Sequence, residues 1–163
     1  MHTMWSIVGN AARVLALLGV AGIAHAQTPG RITLAEAQSL IAAAHADAAS
    51  KNLNLSVAVV DARGDLIAVG RMANANPGTV DVAIGKAMAS AIFGQPSAAL
   101  VARANTPVLQ VMNGQTGGRL RFLQGAVLIV RGGLTVGAIA GSGATGQQDE
   151  DSAKAALTAA PLR

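Results

Sequence analysis

The chain has 163 residues, 52% hydrophobic and 12% charged, with twelve Lys and Arg against eight Asp and Glu, and it has no cysteine. That last absence excludes disulfides, thiol catalysis, zinc–thiolate sites, iron–sulfur clusters and covalent c-type haem attachment. The basic residues are scattered and aromatics are scarce, so neither the basic face nor the stacking platform of a nucleic-acid binder is visible.

Arg13 precedes an apolar run from Val14 to Ala24, and Ala24-His25-Ala26 is a small-x-small site. This order predicts a secretory signal peptide over 1–26, cleaved after Ala26 before Gln27, and a periplasmic or secreted product. The apolar run has eleven residues, short of the roughly 20 that a membrane span needs, so no transmembrane anchor is expected after cleavage. The remaining 137 residues carry a net charge of +3 and suffice for one domain with its own core.

Residues 27–32 read as a short tether before a domain over 33–163. Thr33-Leu34-Ala35-Glu36 has the form of a capping box, and Leu34, Ala37, Ile41, Ala44 and Ala48 recur at helical spacing to about Asn52. Leu55–Val60 and Leu66–Arg71 read as a hairpin around the Gly-containing turn 61–65. Thr79 is a candidate N-cap for a helix to Phe93, with Val80, Ile84, Ala87, Met88 and Ala91 on one face. Gly94 ends it, and Pro96-Ser97 open a short third helix through Ala104. Residues 105–119, rich in Gly, Asn and Gln, read as a long loop. Leu120–Leu123 reads as a short extra strand. Ala126–Val130 and Leu134–Ile139 form a second hairpin around Gly132-Gly133, and Gln147–Ala160 is the last helix.

Short connections imply antiparallel pairing. The predicted fold class is α/β in the α+β sense: one antiparallel sheet of about five strands with helices packed on it.

Gly141-Ser142-Gly143-Ala144-Thr145-Gly146 is a literal G-x-G-x-x-G after a strand and before a helix. A dinucleotide site also needs a second parallel strand bearing an acidic residue about 20 residues on. The strand before this loop belongs to a hairpin instead, so the dinucleotide reading fails. The glycines then serve either helix entry and tight packing, or a pocket wall whose amides meet a ligand carboxylate.

Three blocks carry a resemblance: "ITLAEAQSLIAAAHADAASKNLNLSVAVVDARGDLIAVGRM" (32–72), "TVDVAIGKAMASAIFGQPSAAL" (79–100) and "GAIAGSGATGQQDEDSAKAAL" (137–157). In this order and spacing the chain resembles the GlcG/HbpS-like haem-binding family, which includes the C-terminal domain of PduO-type proteins. The resemblance implies a profilin-like sandwich with a five-stranded antiparallel sheet, assembly as a homo-oligomer, and non-covalent binding of haem b, or of iron. It also implies a role in storage, transport or sensing of haem, in some exported members beside a membrane sensor kinase. Haem degradation, or turnover of a small metabolite in the same pocket, is the alternative. The chain departs from the family at Gly125–Ile129, where Gly-Gly-x-Pro-Ile is usual, and at Ala140–Gly143, in place of Gly-Val-Ser-Gly.

His45 is the one histidine beyond the signal segment and the first candidate haem or metal ligand. It sits at the edge of the apolar stripe of the first helix, where a boundary residue is the competing reading. A first-helix histidine is a haem ligand in some relatives. Lys86, in the family block "IGKA", lies opposite the apolar stripe of its helix. It is read either as a solvated lysine or as a partner for a haem propionate or a neighbouring subunit. Arg71 has the same status. Met72 and Met112, in or beside loops, are candidate sulfur ligands, and Gly141, Ser142 and Gly143 are candidate pocket-wall residues. No paired carboxylates or histidine triad argue for a self-contained hydrolase.

Overall fold

The computed structural model describes residues 30–162. The expected signal peptide, its cleavage site and residues 27–29 of the tether lie outside the described residues.

Helix α1 (Leu34–Ser50) starts at the expected capping box: the Thr33 hydroxyl accepts from the Glu36 amide, and the Glu36 carboxylate accepts from the Thr33 amide. Strands β1 (Ser56–Asp61) and β2 (Leu66–Arg71) follow. Their turn is closed by Asp61, whose carboxylate accepts from the amides of Arg63 and Asp65. Helix α2 (Thr79–Phe93) is capped by Gly78 and Gly94, both left-handed. Thr79 is therefore the first helical residue rather than the cap. Its hydroxyl donates to Asn76 O and meets Ser56 Oγ at 2.8 Å, pinning the helix start to β1.

Two short helices, α3 (Ala98–Val101) and α4 (Pro107–Gln115), lead to β3 (Ala126–Arg131), β4 (Leu134–Ser142) and α5 (Gly146–Ala159). Among the described residues the sheet has four strands in the order β2-β1-β4-β3, every neighbouring pair antiparallel. Side chains alternate across it. Val57, Val59, Ile139, Val127 and Ile129 pack with α1 and α5 on one face. Val60, Ala126, Ala138 and Ala140 pack with α2 on the other. Alanines at 37, 44 and 48 of α1 and at 83, 87 and 91 of α2 are buried, so both helices approach the sheet closely.

Two segments differ from the sequence expectation. The predicted loop 105–119 contains α4, started by Pro107 at its first turn and anchored by the fully buried Leu109. Leu120–Leu123 is extended but lies outside the sheet. Its alternation is real, with Leu120 and Phe122 buried, yet the surface it packs on is α2: Arg121 N donates to Gly85 O at 3.1 Å. The α3–α4 excursion thus covers the side of α2 remote from the sheet, through Leu100, Leu109, Leu120 and Phe122.

The glycine loop is a packing device. A Cβ on Gly141 would lie 2.8 Å from Asp149 O, and one on Gly146 would lie 2.9 Å from Gln124 Cβ. With β4 antiparallel to both neighbours, the parallel unit of a dinucleotide fold is not formed.

Candidate functional site

The covering of α2 on both sides determines the fate of Lys86. Residues 85–91 of that helix are all buried, and Lys86 itself is 4% exposed, so it is not the solvated lysine that its wheel position suggests. Its ammonium meets Asp149 Oδ2 at 2.7 Å and donates to Gly141 O at 3.1 Å. Asp149, in the first turn of α5, accepts from Ala144 N through its other oxygen at 3.1 Å. The carboxylate therefore faces the positive end of its own helix and a cation from the opposite layer.

Glycine makes this crossing sterically open. At Gly125, with φ +136°, a Cβ would lie 2.7 Å from Lys86 Nζ and 2.9 Å from Asp149 Cβ. A cavity of about 440 Å³ opens beside the pair, lined by Val82, Leu123, Gln124 and Ser142 among others. Asp149, the partner of Lys86, is not among the candidates that the sequence singled out. The Thr145/Gln148 capping box, which fixes where that carboxylate points, was hidden inside the glycine-rich turn.

His45 belongs to a different neighbourhood. It lies on α1, on the opposite face of the sheet, where its ring covers Gly70 of the edge strand β2. A Cβ at Gly70 would be 3.0 Å from His45 Cε1 and 2.6 Å from Ile41 Cγ2. The His45 Nε2 is buried and, among the described residues, has no hydrogen-bond partner. Burial lowers the imidazole pKa below its ordinary value, against an opposing hydrogen bond to the Gly70 backbone. The ring is thus held in the neutral form, with a nitrogen uncommitted. That is the state in which imidazole ligates iron.

The remaining candidates divide between these two places. Gly141 and Ser142 stand with Lys86. Arg71 and Met72 follow Gly70, but the Arg71 guanidinium donates to Ala75 O and the Met72 sulfur accepts from Leu55 N. Gly143, with φ +143°, is pressed against the Asn54–Leu55 backbone. Met112 lies half-buried on α4. Among the described residues no group of three or more His, Asp and Glu could hold a metal ion.

The family described as haem degrading protein HbpS-like matches residues 32–158. The chain belongs to this family. Among solved structures it is similar to the Klebsiella pneumoniae protein ORFY, with 26% identity, TM-score 0.75 and coverage of 85% of this chain and 97% of that one. It is also similar to a Streptomyces reticuli HbpS double mutant, with 27% identity, TM-score 0.71 and coverage of 94% and 100%. The PduOC:heme complex shares the fold at 23% identity and TM-score 0.71, covering 82% of this chain and 98% of that one. No curated protein sequence matches the chain.

Proposed function

We propose that this protein binds haem b non-covalently and that His45 supplies an axial ligand. The observation that carries the reading is the neutral, buried imidazole whose Nε2 has no hydrogen-bond partner. An orphaned buried nitrogen costs stability unless something repays it, and a metal centre is such a partner. Membership of the HbpS-like family and the haem complex of the PduOC neighbour support the choice of ligand.

Bound haem supplies the iron and its absorbance. The chain supplies the donor atom and the Gly70 contact that fixes the ring, with the Ile41 side chain beside it on the same face. Because Nε2 is enclosed, coordination requires the ring to turn outward from Gly70. The test is a haem titration of His45→Ala, in which helical structure is retained because Ala is the best helix former. Altered Soret and visible bands with weaker binding are expected. Unchanged spectra and affinity would refute the assignment of His45, and no saturable binding by the unaltered protein would refute the haem reading itself.

Storage, transport or sensing of haem outside the cytoplasm is the role we infer, supported by the signal-peptide pattern of residues 1–26. Assembly of several copies fits the exposed Val101, Val108, Val111 and Leu123, and a membrane sensor kinase is a partner of the kind such a role requires. Haem degradation is the second reading, favoured by the description of the family. The two separate on aerobic incubation of the complex with a reductant: a stable Soret band means carriage, and its loss with release of a product means breakdown.

A further inference from the structure

We propose that the cavity between the β1–β2 turn, α2 and the 117–121 segment is a second ligand site, which takes a small organic carboxylate through Arg119 and Arg121.

The cavity measures about 420 Å³ and is built from three parts of the chain. Asp81, Ile84 and Met88 line it from successive turns of α2. Gly64, Asp65 and Leu66 close it from the hairpin. Gly117, Gly118, Arg119 and Arg121 form the remaining wall.

The two arginines are placed by the extended run that the sequence suggested was a strand. Leu120 and Phe122 turn inward to the core, so Arg119 and Arg121, two residues apart, share the outward side. The backbone beneath them is fixed. Leu120 N donates to Asn113 Oδ1 at 2.9 Å and Arg121 N to Gly85 O at 3.1 Å. Gly85 has no room for a side chain, because a Cβ there would lie 2.5 Å from both Arg119 O and Arg121 Cγ. The guanidinium groups are partly fixed as well: Arg119 Nε donates to Thr116 O, and Arg121 Nη1 donates to Gly118 O and Leu120 O.

Among the described residues neither arginine has a carboxylate within ion-pair distance. Of the acids in the cavity, Asp65 is engaged by Arg63 at 2.9 Å, and Asp81 forms no ion pair and stands on α2. Two adjacent, uncompensated guanidinium groups attract a carboxylate, which arginine grips through paired N–H donors. Ile84 and Met88 offer apolar surface to the body of the same molecule. Asp81 repels a second anionic group and so sets which way round the ligand lies. A volume of about 420 Å³ is at the small end of ligand pockets, so the ligand is a compact acid rather than a polymer. This site uses none of the groups assigned to haem: His45 lies on the other face of the sheet.

The test is equilibrium dialysis of the whole protein against labelled benzoate, with acetate and benzamide as competitors. Saturable binding at about 1 mM is expected for so small a ligand. Affinity should fall at least about tenfold in Arg119→Gln/Arg121→Gln, a loss appropriate to charge-assisted bonds. It should be unchanged in His45→Ala, which separates this site from the haem reading. Acetate and benzamide, each lacking one half of the recognition, should compete about tenfold more weakly. Three results would overturn the proposal: no saturable benzoate binding, equal binding by a double glutamine variant that folds as judged by circular dichroism, or equal competition by benzamide. Arg119→Lys/Arg121→Lys keeps the charge and loses the paired donors. Partial retention of affinity in that variant is expected, and full loss with the fold intact would refute the part played by charge.

Discussion

Asp149→Ala isolates what the crossing between the two helical layers contributes. In the native protein both partners are enclosed, with side chains 4% and 2% exposed, and the ammonium has one charged and one neutral acceptor. Removing the carboxylate leaves Lys86 Nζ with the Gly141 carbonyl alone and leaves Ala144 N without its acceptor. Breaking a buried pair from one side typically costs about 3–5 kcal/mol, a large part of the roughly 5–15 kcal/mol that holds a domain of this size together. With a urea m-value near 2 kcal/mol/M, the midpoint should fall by about 1.5–2.5 M. Replacing both partners by apolar groups, as in Lys86→Met/Asp149→Leu, should recover much of that loss, because no unpaired charge is then buried. The measurement is urea unfolding followed by circular dichroism for Asp149→Ala, for Lys86→Met and Asp149→Leu singly, and for the double variant. A loss below about 1 kcal/mol in Asp149→Ala would refute the reasoning. So would a double variant as unstable as the sum of the singles, since coupled neighbours must not add.

Two further outcomes follow from the same structure. The His45 pKa lies below its ordinary value of 6.5 in the folded chain, so the unfolded chain binds the additional proton first. The resulting stability is present above that value and is lost as pH falls through and below it. His45→Gln should therefore flatten the acid side of a plot of stability against pH, and haem affinity should decline over the same window; an unchanged acid limb would contradict a buried neutral imidazole. Export and assembly are tested on one sample from the native host. N-terminal sequencing should begin at Gln27 and light scattering should show an oligomer, whereas an intact N-terminus or a monomer at micromolar concentration would reject the respective proposal.

The local rules were legible because each depends on few residues. The Thr33/Glu36 box, the Asp61–Asp65 turn and the Gly132-Gly133 hairpin each form where spacing and residue type indicate. The β pairing followed from short connections, and the sheet differs from expectation only in lacking a strand at Leu120–Leu123. That run carries the alternation of a strand, and alternation reports which side chains are buried, not what buries them. Helix α4 was obscured by Asn113 and Gly114 near its end, residues that weaken helical propensity where burial of Leu109 supplies the stability.

The solvated reading of Lys86 fails for a more general reason. A helical wheel assumes one buried face, and α2 has two, because the chain leaves the sheet after Gly94 and returns only at Ala126. A signal was available in the composition: Ala83, Gly85, Ala87, Ala89, Ser90 and Ala91 place small residues all round the helix, a pattern of burial on every side. In such a helix a lysine must find a counter-charge, and Asp149 in the first turn of α5 supplies it. The site candidates shared a list in the sequence, but the sheet divides them. His45 lies in the layer of α1 and α5, whereas Lys86 emerges from the layer of α2. The two residues therefore belong to different layers, with the sheet between them. Lys86, with its charge answered by Asp149 at 2.7 Å and a second bond to Gly141 O, joins α2 to β4 and α5 across that boundary, and that joining is what Asp149→Ala measures.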